Sequence, residues 1–103
     1  MTTTTSKIKI EILVDAPLVR RVTELAESVG VTGYTLMRTI AGSGRGGRWN
    51  EDQISGAQTK IVFVTITGPR RAEALIEALK PLLDSHGLML TKSVVEVVRG
   101  DRF

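Results

Sequence analysis

The residues Lys60-Ile61-Val62-Phe63-Val64-Thr65-Ile66-Thr67, followed directly by Gly68-Pro69, decide the fold class of this chain. The run is rich in β-branched side chains, which favour strands, and its near-continuous apolar character predicts a strand that is buried on both faces. Proline suits the first turn of a helix. An apolar stripe at helical spacing then follows: Ala72, Leu75, Ile76 and Leu79. The stretch therefore predicts a strand that leads directly into a helix.

The first part of the chain repeats this plan. Residues 7–12 alternate between polar and apolar side chains, and the run stays apolar to residue 14, which predicts a strand over residues 7–14 with three isoleucines on one face. Pro17 then begins a helix, and Gly30 is a natural left-handed residue to end it. Each half of the chain therefore predicts a strand followed by a helix that starts at a proline.

Two further strands complete the pattern. The second strand is predicted over residues 33–41, which alternate less regularly, and the last strand over residues 88–98. Pro81 lacks the N–H group that a helix interior needs. The second helix is therefore expected to end or kink near Lys80.

The order of these elements, β-α-β followed by a loop and a second β-α-β, predicts an α+β, ferredoxin-like βαββαβ sandwich with a long loop between its second and third strands. Such a sandwich places two helices on one face of an antiparallel sheet. The strands carry enough apolar residues to bury the other face as well, so we expect an oligomer that packs sheet against sheet. Residues 1–6 are expected to form a disordered polar tail, residues 7–103 a single domain, and residues from about 42 to 58 its loop.

Composition excludes several classes of function. The chain has 103 residues, a net charge of +3 and no cysteine, so it fits one small domain without a disulfide framework or a thiolate metal site. Its single histidine, His86, cannot build a metal cluster alone. No run approaches the roughly 18 apolar residues of a membrane span, and the polar start does not resemble a signal peptide. A cytoplasmic location is therefore expected.

The basic and aromatic residues do not predict a nucleic-acid surface. The cations are spread along the chain, often beside glutamates in the predicted helices. The one tryptophan, one tyrosine and two phenylalanines are too scattered for a base-stacking platform. Nucleic acid is therefore not an expected partner.

The loop contains the glycine- and arginine-rich sequence Gly42-Ser43-Gly44-Arg45-Gly46-Gly47-Arg48-Trp49. Backbone N–H groups without neighbouring Cβ atoms, together with guanidinium groups, can surround an anion. A mobile loop whose arginines only keep it soluble explains the same composition. Loops of about 15 structureless residues inside a small domain are usually functional or disordered. Trp49 needs a surface to pack on, either on a partner or on its own domain.

The loop carries no complete catalytic or cofactor motif. Gly42-x-Gly44-x-x-Gly47 formally fits the dinucleotide fingerprint, but no amphipathic helix begins after it and residues 53–72 contain no acidic residue to hold a ribose. Ser43 has no attendant base, because His86 lies in a distant helix-to-strand turn. We therefore expect neither a Rossmann domain nor an enzyme.

Several short motifs, taken in order, resemble the PII family of trimeric signalling proteins over nearly the whole chain. Gly33-Tyr34-Thr35 begins the second strand as that family's Gly-x-Thr does, and Gly42-Ser43-Gly44-Arg45 is similar to the Gly-x-Gly-Arg at the base of its long T-loop. Arg48 resembles the second loop arginine of the PII-like SbtB branch, which regulates bicarbonate transport. The tail, with Arg99, Arg102 and a closing aromatic residue, is similar to the tail seen there.

The resemblance implies a homotrimer that binds an adenine nucleotide in the cleft between two subunits, under the base of the T-loop. The residues that would bind the nucleotide come from the second strand, the loop and the tail: Gly33, Tyr34, Thr35, Gly42, Ser43, Gly44, Arg45, Arg48, Arg99 and Arg102. Arginines would pair with phosphate, and glycines would let the backbone approach it. Trp49, because of its place in a polar loop, is the candidate for contact with a partner protein. Binding would order the loop, which would then meet or release that partner.

Two departures from the family narrow the expected ligand. Residues 84–88 contain no lysine, where orthodox PII proteins have a glycine- and lysine-rich loop that helps hold ATP, and the T-loop lacks the tyrosine that some of them have uridylylated. The resemblance therefore favours ADP, AMP or cyclic AMP over ATP as the regulatory ligand, with bicarbonate as a further candidate. The implied partner is a membrane bicarbonate transporter, which would bring the protein to the membrane periphery, or a carboxysome component. The alternative is a ferredoxin-like oligomer with a structural or small-ligand role and no nucleotide signalling.

Overall fold

The computed structural model describes residues 3–44, 47–50 and 59–98. These residues form six strands: β1 (Thr4–Asp15), β2 (Tyr34–Arg38), β3 (Ala41–Gly44), β4 (Gly47–Asn50), β5 (Lys60–Thr67) and β6 (Met89–Val98). They also form a 3-10 turn over Ala16–Leu18 and two helices, α1 (Val19–Ser28) and α2 (Pro69–His86). The strand predicted over Lys60–Thr67 is confirmed with the same bounds.

Four of the strands form one antiparallel sheet in the order β2-β5-β1-β6. The chain enters α1 after β1 and α2 after β5, which gives the βαββαβ connectivity of a ferredoxin-like sandwich. The predicted fold is therefore confirmed. Strands β3 and β4 pair with each other in a separate two-stranded sheet, within the connection between β2 and β5.

Both helices pack on one face of the main sheet, which we call the helix face. Ile10 and Ile12 of β1 point to this face and are fully buried, as the alternation predicts. Ile8, the third isoleucine, is only partly buried, and Val14 is a further fully buried residue of the same strand. Phe63 of β5 is the cross-strand neighbour of Ile12. The helices complete the core with six further apolar residues: Val22, Ala26, Ala72, Leu75, Leu79 and Leu82. Burial of each large apolar side chain contributes about 1.5–3 kcal/mol, so this core is the main source of stability.

The opposite face, which we call the open face, carries an apolar row that crosses the whole sheet. The register aligns one residue from each strand in this row: Met37, Val62, Leu13 and Met89. In the single chain Met37 is 47% exposed and Met89 65% exposed. Within one chain, the fully buried residues of β5 all lie on the helix face. The prediction that this strand is buried on both faces is therefore confirmed for that face only. The open face retains the apolar surface for a further layer.

β1 begins at Thr4, which differs from the disordered tail predicted over residues 1–6. Residues 4–6 pair with residues 96–98 of β6, and Thr4 Oγ1 donates to Glu96 Oε1 at 3.3 Å. Threonine is β-branched and suits a strand, but it needs a neighbouring strand to pair with. That neighbour comes from the opposite end of the chain, so the composition of the tail could not reveal it.

α2 continues past Pro81 to His86, so the expected end near Lys80 is wrong, while the alternative of a kink there stays a prediction. Proline removes one hydrogen bond from a helix interior. The flanking apolar residues offset this loss, because Leu79 is 0% exposed and Leu82 is 4% exposed. Burial of this stripe holds the last turns in place. Gly87, with a φ of 61°, then ends the helix in the left-handed conformation.

The predicted second strand is divided, and part of the predicted loop has regular structure. β2 ends at Arg38, and the chain passes through Thr39 and Ile40 before it forms the hairpin of β3 and β4. The expectation of a structureless loop is therefore wrong for the described residues of this hairpin. Residues 45–46 and 51–58 of the predicted loop lie outside the described residues.

Within the described ranges, neither helix is long and apolar enough to cross a membrane. The same part of the chain holds no group of three or more His, Cys, Asp or Glu side chains that could bind a metal ion.

Candidate functional site

β2 lies at the edge of the sheet, and each end of it carries a feature that could bind a ligand. Its first residue, Tyr34, pairs with Thr65 of β5. Because β5 continues for two more residues, the backbone of Ile66 and Thr67 has no neighbouring strand on this side in the described chain. Its last residue, Arg38, leads towards the hairpin of β3 and β4.

A cavity of about 230 Å³ lies at the first end of β2. The turn after α1, the end of β5 and the first turn of α2 line it: Gly30, Val31, Thr32, Gly33, Thr65, Ile66, Thr67 and Arg71. Gly30 has a φ of +87°, and a Cβ at this position would lie 3.3 Å from Arg71 Nε. Glycine at position 30 therefore lets the turn and the arginine form one continuous wall.

The two buried threonines in this wall differ in their hydrogen bonding. Thr65 is 2% exposed and donates its hydroxyl to the carbonyl of Gly33 at 2.6 Å. Thr67 is 7% exposed, yet its hydroxyl has no hydrogen-bond partner among the residues that the structure describes. Buried polar groups in proteins are nearly always hydrogen-bonded. Thr67 therefore leaves one buried hydroxyl available to a molecule that fills the cavity.

Arg71 brings positive charge to the rim of the cavity. It forms no ion pair with any residue in the described ranges. The first turn of α2 contains no acidic side chain, and its N-cap is Gly68, which has no side chain to cap the free N–H groups. A helix N-terminus is electropositive, so this end of the cavity favours an electron-rich or anionic group.

Of the three residues predicted to bind a nucleotide at this end, Gly33 is the one in the cavity wall. The ring of Tyr34 instead packs against Phe63 in the core, with 5.1 Å between ring centroids and 23° between the ring planes. Thr35 is exposed and lies on the open face, because it is paired with Val64. Tyr34 and Thr35 can therefore offer backbone groups of the edge strand, while their side chains are directed elsewhere.

The hairpin at the second end of β2 is where Trp49 contacts its own chain. Trp49 Nε1–H donates to Thr39 Oγ1 at 2.9 Å, and the ammonium of Lys60 lies 5.5 Å from the ring centroid. The indole also lies against Gly42, its cross-strand partner. The open side of Gly42, predicted to admit a ligand, is therefore filled by the indole. This is the intra-domain packing that the sequence left as one of two alternatives, and contact with a partner stays a prediction.

Arg48 and Ser43 face away from Trp49. They pair with each other across the hairpin, beside the Gly42–Trp49 pair, and successive residues of a strand point to opposite faces. Arg48, Ser43 and Gly44 are exposed. The other arginines predicted to contact phosphate lie outside the described residues: Arg45, Arg99 and Arg102.

The two ends of β2 are separated by the length of the strand. Its five residues, at about 3.3 Å each, span about 15 Å. An extended adenine nucleotide has a comparable length, with its base at one end and its phosphates at the other. The predicted residues are therefore not brought into one compact site in a single chain, but are arranged along one edge of the sheet.

Sequence reasoning missed most of the cavity wall: Gly30, Val31, Thr32, Thr65, Ile66, Thr67 and Arg71. Two glycines three residues apart, between a helix and a strand, could have indicated a turn that another group approaches closely. Arg71 has no comparable local signal. Its contact with the turn joins residues from the two halves of the chain, which only the packing of α2 brings together.

Comparison with known families decides the identity of the chain. Residues 7–102 match the family model described as nitrogen regulatory protein P-II. The chain belongs to the P-II family. The resemblance expected from the strand and loop motifs is therefore confirmed, and the description of the family is that of a regulatory protein.

Solved structures of PII-like proteins share the fold of this P-II protein. CPII from Thiomonas intermedia K12, a PII-like protein bound to ADP, AMP and bicarbonate, is 20% identical with a TM-score of 0.89, over 100% of this chain and 98% of that one. The apo form of CPII is 22% identical with a TM-score of 0.76, over 96% and 99% of the two chains. A PII-like signalling protein from Thermus thermophilus is 19% identical with a TM-score of 0.82, over 97% of both. At these identities the likeness shows the fold alone, and no curated protein sequence matches the chain.

Proposed function

We propose that this P-II protein is a regulator that binds an adenine nucleotide along the edge strand β2. The observation that carries the proposal is the cavity at the start of β2, in which the buried Thr67 hydroxyl lacks a partner among the described residues. The base occupies this cavity, and the phosphates extend towards the hairpin. CPII, which has the same fold, is bound to ADP and AMP in its structure, and this supports the same class of ligand here.

The groups around the cavity suit a purine base. Adenine presents an amino donor beside ring-nitrogen acceptors. The backbone of Ile66 and Thr67, beyond the last pair with β2, carries donors and acceptors of the matching kind. The Thr67 hydroxyl can either donate or accept, and the planar guanidinium of Arg71 can stack on the ring. Base recognition in this proposal therefore rests on the backbone and on two side chains.

The other end of the edge strand suits phosphate. Arg48 is exposed on the outer face of the hairpin, beside Ser43. Hydrogen bonds between a guanidinium and a phosphate are roughly twice as strong as neutral ones. In this proposal Arg45 acts from the same loop, and the tail of the same or the neighbouring subunit adds two more cations: Arg99 and Arg102.

The open face supports a homotrimer. Its apolar row leaves Met37 and Met89 about half exposed or more in the single chain, and burial of such surface contributes about 25 cal/mol per Å². Packing of this face against two further copies would remove the row from water. The nucleotide would then lie in a cleft between two subunits. This explains why a single chain forms only one side of the site, along β2.

The loop connects the ligand to a partner in this proposal. Nucleotide binding orders the T-loop, and the ordered loop meets or releases the partner. The partner we propose is a membrane bicarbonate transporter or a carboxysome component, so the protein is cytoplasmic and reaches the membrane only through such a transporter. The bicarbonate bound to CPII supports the link to inorganic carbon.

Isothermal titration calorimetry against ATP, ADP, AMP and cyclic AMP, each with and without bicarbonate, tests the proposed function. We expect saturable binding, with ADP, AMP or cyclic AMP bound more tightly than ATP, and an affinity that changes with bicarbonate. Absence of binding by all four nucleotides would contradict the nucleotide role and favour the structural or small-ligand alternative. If the nucleotides bind and bicarbonate does not change their affinity, the nucleotide role stands. The proposed link to bicarbonate would then lose its support.

A further inference from the structure

We infer that Trp49 is a positioning residue: it docks the β3–β4 hairpin onto the end of the main sheet and thereby holds Arg48 on the outer face before any ligand binds. The use of Arg48 for phosphate rests on the proposed function, whereas the docking of the hairpin does not. Three sets of contacts around the indole carry the inference, and they come from Thr39 directly after β2, from Lys60 of β5 and from the hairpin itself.

A chain of hydrogen bonds ties the indole to the sheet. Trp49 Nε1–H donates to Thr39 Oγ1 at 2.9 Å, and the Thr39 hydroxyl donates to the carbonyl of Lys60 at 2.7 Å. The backbone N–H of Thr39 donates to the same carbonyl at 3.2 Å. Thr39 directly follows β2, and Lys60 is the first residue of β5. The indole is therefore hydrogen-bonded, through Thr39, to the place where β2 ends and β5 begins.

Lys60 also contacts the indole through its side chain. Its ammonium lies 5.5 Å from the centroid of the Trp49 ring, within the range of a cation–π interaction. The same ammonium forms an ion pair with Asp15 at the end of β1. The cation beside the ring is thus itself held by the sheet, and the indole packs against a fixed group.

Gly42 provides the space that the indole occupies within the hairpin. A Cβ at position 42 would lie 2.2 Å from the nearest carbon of the Trp49 ring, a distance that real Cβ atoms do not reach. Any side chain there would therefore displace the ring. Gly44 lies two residues further along the same strand, and a Cβ there would have none of the described residues within 4 Å. The two glycines form a matched pair for substitution.

Docking of Trp49 determines the direction of Arg48 because the two are neighbours in one strand. Side chains of successive strand residues point to opposite faces, so an indole turned towards the sheet places Arg48 on the far side. An undocked hairpin would have to be ordered when the ligand binds, and that ordering costs affinity. Trp49 therefore favours phosphate binding without contacting the phosphate.

The fluorescence of the chain's single tryptophan reports the docking directly. In the ligand-free protein, Gly42→Ala is expected to shift the Trp49 emission to longer wavelength and to raise its quenching by acrylamide severalfold. Gly44→Ala is expected to leave both as in the parent. Circular dichroism shows whether each variant keeps the fold. Emission and quenching like those of the parent in folded Gly42→Ala would overturn the docking.

The affinity for ADP tests the positioning of Arg48. Trp49→Ala is expected to weaken ADP binding about ten- to a hundredfold, the same loss that we expect of Arg48→Ala. Trp49→Phe keeps an aromatic ring and should lose less affinity. The double variant should bind no more weakly than Arg48→Ala, because both changes remove one contact. Additive losses, or parental affinity in Trp49→Ala, would overturn the positioning. A parent that binds no ADP would refute the proposed role of Arg48, while the fluorescence of Gly42→Ala would still decide the docking.

Discussion

Thr65 and Thr67 lie on the same face of β5, and their different hydrogen bonding predicts opposite effects of the same substitution. Thr67→Val removes a hydroxyl that has no partner among the described residues, so the free energy of unfolding without ligand should stay the same or rise slightly. Thr65→Val removes the hydrogen bond to the carbonyl of Gly33 and should cost about 0.5–1.5 kcal/mol. Urea unfolding of both variants measures the difference.

Thr67→Val, which should not lower stability, is expected to lower the affinity for the ligand. Loss of a hydrogen bond of about 0.5–1.5 kcal/mol between Thr67 and the base should weaken ADP binding about two- to tenfold. Calorimetric titration of Thr67→Val measures this loss. ADP binding as tight as in the parent would remove Thr67 from the base site.

Arginines at the base of the loop are expected to act on affinity and not on stability. Replacement of Arg45 or Arg48 by alanine removes a charge-assisted contact with phosphate worth about 1.5–3 kcal/mol, which weakens binding about ten- to a hundredfold. Lysine should rescue only part of the loss, because it keeps the charge but not the planar fork. The melting temperature of Arg48→Ala without ligand should change little, since Arg48 is exposed and exposed charged side chains contribute little to stability. Titration of both alanine variants with ADP and cyclic AMP checks this, and unchanged affinity in both would support a merely solubilising loop.

At the scale of elements, the N-terminal residues act as part of the sheet. Deletion of residues 1–6 removes three cross-strand pairs with β6, each worth about 0.2–1 kcal/mol. We expect the free energy of unfolding to fall by about 1–2 kcal/mol, measured by urea unfolding, with the nucleotide affinity unchanged. A deletion variant as stable as the parent would show that the pairing of residues 4–6 contributes nothing.

Elements held by local patterns could be predicted from the sequence, and elements held by distant contacts could not. The bounds of β5 follow from its own apolar run, and α2 starts at the proline that precedes its apolar stripe. The start predicted at Pro17 differs, because this residue lies in the 3-10 turn before α1. The hairpin depends on Trp49 reaching Thr39 and Lys60, which no window of sequence displays. The cavity likewise needs α2 to bring Arg71 beside the turn after α1. The loop motif could therefore be recognised, but the cavity at the other end of β2 could not.

At the scale of the whole molecule, the open face predicts assembly. Light scattering of the parent at micromolar concentration should give the mass of a trimer. Met89→Lys places a charge in the apolar row of the open face and should shift the mass towards the monomer. Val94→Lys is the matched control, because Val94 is exposed on the same strand but points to the other side. A monomeric parent, or equal dissociation by both variants, would contradict packing through the open face.

The central claim is that an adenine nucleotide lies along β2, with its base in the cavity and its phosphates towards the hairpin. Amide chemical shifts measured during a titration with ADP test this most directly, because they locate the ligand as well as detect it. We predict the largest shifts at residues 30–33 and at Ile66 and Thr67, with a second set at Arg48 on the hairpin. Shifts confined to the outer surfaces of the helices, or no shifts at saturating ADP, would contradict it.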